Sequence, residues 1–148
     1  TTKRIGRQRR WVLVVEDNKV NQIVAQRMLQ RLGFSVDMAA NGQEALDLLE
    51  ALEHAPYAII LMDCQMPIMD GYETTRAIRA LNSPIAAVPV VATTAHAFEG
   101  AQVRCHEAGM NDYIAKPLRI EALEETLIKW LRASGGSESG QEPTTLDA

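Results

Sequence analysis

The chain has 148 residues, a length that suits one domain with a hydrophobic core. Its 47% hydrophobic and 23% charged residues are ordinary for a soluble globular protein, and no apolar run reaches the length of a membrane span. Setting aside the five basic residues of segment 1–10 and the three acidic residues of segment 133–148 leaves 10 basic and 16 acidic residues. Nucleic-acid-binding surfaces usually have the opposite sign, so we expect no direct DNA binding.

The two ends of the chain differ in composition from its middle. Segment 1–10 is basic without an acid and predicts a solvated linker, while the Ser- and Gly-rich composition from residue 133 predicts a disordered tail over 133–148. We therefore expect one folded domain over residues 11–132. Two cysteines are too few for a disulfide framework and no signal peptide is visible, which favours a cytoplasmic location without membrane contact by this domain.

Short apolar runs and helical patterns alternate five times along the folded segment. This alternation is typical of an α/β protein in which crossover helices connect parallel strands. The strands are expected at about 11–15, 35–39, 58–62, 88–92 and 112–115. The third of these runs is apolar throughout, which is typical of a central strand that is buried on both faces.

The first two helices are predicted from apolar residues at helical spacing. In the first helix, which Gly33 ends, these residues are Val20, Ile23, Val24, Met28 and Leu32. The second helix follows a capping-box pattern at Asn41 and Glu44, and its apolar residues are Ala45, Leu48, Leu49 and Leu52.

The last three helices have weaker or more varied signals. A second capping-box pattern, at Asp70 and Glu73, begins the third helix and explains Asp70 as a structural residue. A weakly patterned fourth helix is expected over about 98–108. The apolar residues of the fifth helix are Ile120, Leu123, Leu127 and Leu131.

Chemically active side chains follow four of the predicted strands. Glu16 and Asp17 come after the first strand, Asp63 after the third, Thr94 after the fourth and Lys116 after the fifth. Because α/β proteins build their sites at the carboxyl ends of parallel strands, we expect these groups to lie together. Taken singly, each has a structural explanation, such as a helix cap or a surface charge, and it is their combination that indicates a site.

Three carboxylates at one edge repel one another unless a cation lies between them. Mg²⁺ prefers oxygen ligands and retains several waters, so Glu16, Asp17 and Asp63 with the backbone carbonyl of Gln65 would suffice to bind it. Asp63 ends the most buried strand and is the best candidate nucleophile, since carboxylates form aspartyl-phosphate intermediates. Lys116 and the hydroxyl of Thr94 would then stabilise the charge on the phosphoryl oxygens.

At this point the residues match a known family. Four segments together closely resemble the receiver domain of two-component response regulators, over about residues 11–132. They are Glu16-Asp-Asn-Lys-Val-Asn21, Met62-Asp-Cys-Gln-Met-Pro-Ile-Met-Asp-Gly71, Thr94-Ala-His-Ala97 and Ala108-Gly-Met-Asn-Asp-Tyr-Ile-Ala-Lys-Pro117. The sequences of these segments are most similar to those of receiver domains in hybrid sensor histidine kinases. In such proteins the receiver lies in the C-terminal part.

The resemblance implies a doubly wound (βα)5 flavodoxin-like fold with strand order 2-1-3-4-5. It implies that Asp63 accepts phosphate from a phosphohistidine, with Mg²⁺ as cofactor. Lys116 would pair with the phosphoryl group, Thr94 would hydrogen-bond it, and Tyr113 would be the aromatic residue that changes rotamer. The peptide bond between Lys116 and Pro117 would be cis.

The resemblance also suggests two residues that tune the lifetime of the phosphoryl group. Gln65 and His96 would flank the path of an attacking water, and we hypothesise that they set the rate of autodephosphorylation. The domain would not be an enzyme beyond its own phosphorylation and dephosphorylation.

The expected partners are a histidine kinase, a histidine phosphotransfer protein, or both, docking near the first helix and the loops around Asp63. The chain would be a piece of a hybrid protein-histidine kinase, and thus the cytosolic part of a membrane-bound sensor, or else a single-domain regulator. Two other classes remain as alternatives: a receiver-like interaction module that takes no phosphate, and an enzyme or flavin carrier on the same topology. The acidic loop after the first strand argues against a flavin phosphate, and intact Asp63, Thr94 and Lys116 argue against the interaction module.

Overall fold

The computed structural model describes residues 11–95 and 100–139, with side chains described up to residue 132. Five parallel strands form one sheet in the order β2-β1-β3-β4-β5, which confirms the predicted flavodoxin-like topology. The strands are β1 (Trp11–Val15), β2 (Ser35–Ala39), β3 (Tyr57–Asp63), β4 (Val90–Thr94) and β5 (Asp112–Ala115). The helices are α1 (Lys19–Arg31), α2 (Gly42–Glu50), α3 (Gly71–Arg79), α4 (Ala101–Ala108) and α5 (Ile120–Ser139), with a 3₁₀ helix at Pro84–Ala87.

Helices pack on both faces of the sheet, and successive side chains of a strand point to opposite faces. In β1, Leu13 and Val15 pack with α2, α3 and α4, whereas Val12 and Val14 pack with α1 and α5. All seven residues of β3 are buried, as its continuous apolar run predicts. Within the described residues, no helix is both long and apolar enough to span a lipid bilayer.

Side-chain caps begin three of the helices. The side chain of Asn18 caps α1 by accepting from the backbone N–H of Asn21. The capping box predicted at Asp70 and Glu73 is complete in α3. Each such cap stabilises a helix by about 1 kcal/mol.

The capping box predicted at the start of α2 is only half correct. The side chain of Asn41 accepts from the backbone N–H of Glu44 at 2.8 Å, as expected. The carboxylate of Glu44, however, accepts from the N–H of Ala40 and not from that of Asn41. The donor of the reciprocal hydrogen bond is therefore Ala40, the residue before the N-cap.

Strand β4 begins two residues later than its apolar run predicts. The N–H of Val88 bonds to the carbonyl of Ile85 in the 3₁₀ turn, and Pro89 has no N–H to give to a ladder. The strand therefore begins at Val90 and extends to Thr94, which brings Thr94 into the sheet itself.

The predicted apolar faces of α1 and α2 are partly wrong. In α1, Val20, Ile23 and Val24 are 66%, 48% and 37% exposed, while Ala25 and Leu29 are buried. Both helices have apolar residues on more than one face, and periodicity alone does not decide which face meets the sheet. In α2 the buried residues are Gly42, Ala45, Leu46 and Leu49, and Leu48 is exposed.

Two predicted boundaries also differ from the structure. Helix α5 extends to Ser139, past the expected end of the domain at residue 132, because adding a turn to an existing helix avoids the cost of nucleation. Helix α4 begins at Ala101, and the four residues before Gly100 lie outside the described residues. The linker predicted over 1–10, and the part of the predicted 133–148 tail that follows residue 139, also lie outside them.

Candidate phosphoacceptor site

The carboxyl ends of β1, β3, β4 and β5 meet at one edge of the sheet. The register pairs Val15 with Met62, Asp63 with Thr93, and Thr94 with Ala115, so the residues that follow these strands are neighbours. The predicted gathering of Glu16, Asp17, Asp63, Thr94 and Lys116 at this edge therefore follows from the strand register.

Three carboxylates form the centre of the site. One carboxylate oxygen from each of Glu16, Asp17 and Asp63 lies within 4.8 Å of the others. Glu16 and Asp63 are 5% and 3% exposed, whereas Asp17 is exposed to solvent. This set of hard oxygen donors, open to water on one side, fits Mg²⁺.

Lys116 provides the positive charge among these acids. Its Nζ lies 3.1 Å from Asp63 Oδ1 and 3.3 Å from Glu16 Oε1. Burial acts to lower the pKa of the Lys116 ammonium, but the hydrogen bond and the attraction from Asp63, together with those from Glu16, raise it above its ordinary value. Lys116 is therefore a permanent cation at neutral pH.

The environment of Asp63 differs from that of an ordinary surface acid. Burial raises the pKa of Asp63 to about 6, against the opposing effects of hydrogen bonds from Lys116 and from the backbone N–H of Gln65. The Gln65 N–H donates to Asp63 Oδ1 at 3.1 Å. Charge repulsion from Glu16 adds to the rise. A buried carboxylate of this kind is poorly solvated, and acids with pKa values raised in this way are common at functional sites.

The other predicted residues are placed as follows. Thr94 ends β4 and is 4% exposed, and Tyr113 in β5 is partly buried against the core cluster formed with α2, α3 and α4. The peptide bond between Lys116 and Pro117 is cis, as the resemblance implies. The Gln65 side chain is exposed, and His96 lies outside the described residues.

Two amide side chains of α1 contact the site and were missed by the sequence reasoning. Gln22 Nε2 donates to the backbone carbonyl of Glu16 at 2.7 Å, and Asn21 Nδ2 lies 3.4 Å from Glu16 Oε2. The backbone N–H of Asn18 donates to the same Oε2 at 3.1 Å. The available signal was two adjacent amides one turn after an acidic pair, which is too common a pattern to stand out.

Comparison with known proteins identifies the family. Residues 12–128 match the family model described as the response regulator receiver domain. The chain belongs to this family. The receiver domain is thus a module of two-component signalling, and the residues matched include every member of the site described above.

The curated relatives of this receiver domain include much longer proteins. The hybrid signal transduction protein dokA of Dictyostelium discoideum is 36% identical over 132 residues, which cover 89% of this chain and 8% of that protein. The sensor histidine kinase GacS of Pseudomonas protegens is 36% identical over 138 residues, which cover 89% of this chain and 15% of that protein. The chain therefore spans only a small part of the length of these relatives.

Solved structures of other receiver domains share the fold. The receiver domain of sensor histidine kinase PA1611 from Pseudomonas aeruginosa, with magnesium coordinated in its active-site cleft, is 43% identical with a TM-score of 0.73, covering 82% of this chain and 97% of that one. The receiver domain of Ssk1 from Saccharomyces cerevisiae, in complex with the histidine phosphotransfer protein Ypd1, is 29% identical with a TM-score of 0.72, covering 84% and 90%.

Proposed function

We propose that this receiver domain accepts a phosphoryl group on Asp63 from a phosphohistidine, in a reaction that requires Mg²⁺. The observation that carries the proposal is the buried Asp63 carboxylate, in contact with Lys116 and within 4.8 Å of the carboxylates of Glu16 and Asp17. The magnesium bound by the related domain of PA1611 supports the cofactor.

The proposed transfer is a displacement at phosphorus. A carboxylate oxygen of Asp63 forms the new O–P bond while the P–N bond to the donor histidine breaks, and the bonding electrons return to the imidazole nitrogen, which takes a proton from solvent. Glu16, Asp17, Asp63 and the carbonyl of Gln65 would hold the Mg²⁺, which would neutralise charge on the phosphoryl oxygens.

In this proposal Lys116 and Thr94 stabilise the transferred phosphoryl group. Lys116 moves from its contact with the free Asp63 carboxylate to the phosphoryl oxygens, so a cation is present throughout the reaction. The Thr94 hydroxyl turns toward the phosphoryl group and hydrogen-bonds it. Tyr113 changes rotamer with Thr94, and the phosphorylated state thereby selects one of two arrangements of this face.

The lifetime of the phosphoryl group is assigned in this proposal to the side chains of Gln65 and His96. Gln65 lies two residues beyond Asp63 and has an exposed side chain, and His96 lies two residues beyond Thr94. Both flank the path of an attacking water in the proposal. Exchanging both side chains should change the rate of autodephosphorylation, and an unchanged rate would reject this role.

The proposed partner is a histidine phosphotransfer protein or a histidine kinase in the cytoplasm. The exposed Val20, Ile23 and Val24 of α1 are an apolar surface beside the acidic site, where a phosphohistidine-bearing partner would dock. The complex of the related Ssk1 receiver with Ypd1 supports a partner of this class. The hybrid kinases among the relatives support a parent protein of that type.

The test is intact-protein mass spectrometry after incubation with Mg²⁺ and a small acyl-phosphate donor. We expect a mass increase of one phosphoryl group that disappears without Mg²⁺ and in Asp63→Asn. Asp112→Asn is the matched control, because Asp112 pairs with Lys129 and Trp130 away from the site, and it should still be phosphorylated. A phosphorylated Asp63→Asn variant would contradict the assignment.

The second candidate is a receiver-like interaction module that takes no phosphate. Beryllofluoride, which mimics an aspartyl phosphate, separates the two functions when the small donor fails. Mg²⁺-dependent binding of beryllofluoride would support the phosphoacceptor function. It would also indicate that phosphorylation needs a protein donor. Failure of both reagents would favour the interaction module.

A further inference from the structure

We infer that Gln22 is a positioning residue for the proposed Mg²⁺ site, acting on Asp17 through the peptide that joins Glu16 to Asp17. This inference rests on the proposed function, because it concerns the same ion. It assigns a role to a residue of α1 that supplies no ligand atom itself.

The contact behind the inference is short and specific. Gln22 Nε2 donates to the backbone carbonyl oxygen of Glu16 at 2.7 Å. This carbonyl lies just past the end of β1, whose pairing with β2 and β3 stops at Val15. The donor to this carbonyl is thus a side chain of α1.

The Glu16 carbonyl and the Asp17 N–H belong to one planar peptide unit. A hydrogen bond to the carbonyl therefore fixes the orientation of that whole unit. The Cα of Asp17 is part of it, so the direction in which the Asp17 carboxylate leaves the backbone is restricted too.

Asp17 depends on such a restraint more than the other two acids. Asp63 and Glu16 are buried and are held by Lys116 through contacts of 3.1 and 3.3 Å. Asp17 is exposed, and among residues 11–95 and 100–132 no hydrogen bond or ion pair to its carboxylate is found. An unrestrained side chain loses conformational freedom on binding a metal, which weakens binding.

The side chain of Glu16 is held separately from its carbonyl. Oε2 accepts from the backbone N–H of Asn18 at 3.1 Å and lies 3.4 Å from Asn21 Nδ2, while Oε1 faces Lys116. Replacing Gln22 therefore leaves the carboxylate of Glu16 anchored. Any effect on metal binding is expected to come from the Glu16–Asp17 peptide.

The position of Gln22 is itself fixed by the helix α1. Its backbone N–H bonds to the carbonyl of Asn18 in the first turn of α1, and the helix is packed on the sheet by Ala25 and Leu29. The side chain is half-buried and not a freely rotating surface amide. The arrangement resembles the outer-shell hydrogen bonds that orient metal ligands in general, whose loss typically weakens metal affinity about 10- to 100-fold.

The test compares Gln22→Met with Gln30→Met by isothermal titration calorimetry with Mg²⁺ and with Ca²⁺. Methionine keeps the length of glutamine and removes the donor. Gln30 is on the same helix, is exposed and has no side-chain hydrogen bond in the described structure. Urea denaturation checks that both variants fold, and Gln22→Ala replaces Gln22→Met if the latter does not.

We expect Gln22→Met to weaken Mg²⁺ binding by about tenfold or more and Gln30→Met to leave it unchanged. Ca²⁺ binding should weaken less, because Ca²⁺ accepts irregular geometry whereas Mg²⁺ demands a near-ideal octahedron. An equal loss for both ions, or an equal loss in the Gln30 control, would overturn the positioning role.

The outcomes also separate this inference from the function on which it rests. A wild-type chain that binds Mg²⁺ and is phosphorylated, with Gln22→Met equal to it in Mg²⁺ affinity, would overturn the role of Gln22 alone. A wild-type chain that binds no Mg²⁺ would overturn both.

Discussion

The ammonium of Lys116 lies 3.1 Å from Oδ1 of Asp63, and this contact joins the end of β5 to the end of β3. It brings a cation from one strand onto a carboxylate that is 3% exposed on another. Burial alone would favour the protonated acid, and Lys116 opposes that effect. The pair thus keeps a desolvated carboxylate ionised, which the proposed Mg²⁺ binding and phosphoryl transfer require.

Removing this cation should raise the pKa of Asp63. Lys116→Met abolishes the hydrogen bond and the charge attraction that lower it, so the pKa is expected to rise above its value of about 6. A ¹³C NMR titration of the Asp63 carboxyl carbon measures it. Lys129→Met is the control, because the Lys129 side chain is 63% exposed and pairs with Asp112. An unchanged Asp63 pKa in Lys116→Met would contradict the role of the pair.

The raised pKa of Asp63 also predicts how stability depends on pH in EDTA. Because the folded chain binds the proton more tightly than the unfolded chain, the stability that Asp63 contributes below its ordinary pKa of 3.8 is lost as pH rises through about 6. Asp63→Asn should therefore be more stable than wild type at pH 8. The difference in free energy of unfolding between the variant and wild type should be smaller at pH 5 than at pH 8, by an amount on the order of 1 kcal/mol.

Urea denaturation of the two proteins at pH 5 and pH 8 measures this difference. Comparing the variant with wild type at each pH cancels the titration of all other groups that the substitution leaves alone. An advantage of Asp63→Asn that grows toward pH 5 would show that the sign is wrong.

Ile68 has an unfavourable backbone conformation in the loop that follows β3. Its φ is +70°, and its side chain is 89% exposed and so gains little from burial. A β-branched residue in this region costs roughly 1–2 kcal/mol, whereas Asn tolerates it. We expect Ile68→Asn to raise the free energy of unfolding by about 1 kcal/mol in urea denaturation. Ile68→Val retains the strain and should show no such gain.

Arg79 holds together the end of the sheet opposite the acidic site. Its guanidinium donates to the carbonyls of Gly109, Ala86 and Val88, and to Asn111 Oδ1, at distances of 2.7 to 2.9 Å. Lysine keeps the charge but not the planar set of donors that these bonds require. The predicted cost is about 2–3 kcal/mol for Arg79→Lys.

The exposed Arg76 on the same helix provides the matched control. Arg76→Lys should change the free energy of unfolding by less than about 0.5 kcal/mol. The free energies of unfolding of the two variants, measured by urea denaturation, would then differ clearly. Equal stabilities would show that the four bonds of Arg79 contribute little beyond its charge.

The sequence by itself determined the strand ends and the groups that follow them. Apolar runs located all five strands, although Pro89 and the 3₁₀ turn moved the start of β4 to Val90. The acids, Thr94 and Lys116 could be predicted to meet because parallel strands direct their carboxyl ends to one edge. Patterns local in the chain carry this information.

Only the tertiary structure decided which apolar residues face the sheet and how the acids are held. Val20, Ile23 and Val24 look like a core face in the sequence and are exposed, because Ala25 and Leu29 pack on the sheet instead. The contacts of Gln22 with Glu16, and of Lys116 with Asp63, depend on distances between side chains of different elements. Such distances arise from packing, which local sequence patterns do not encode.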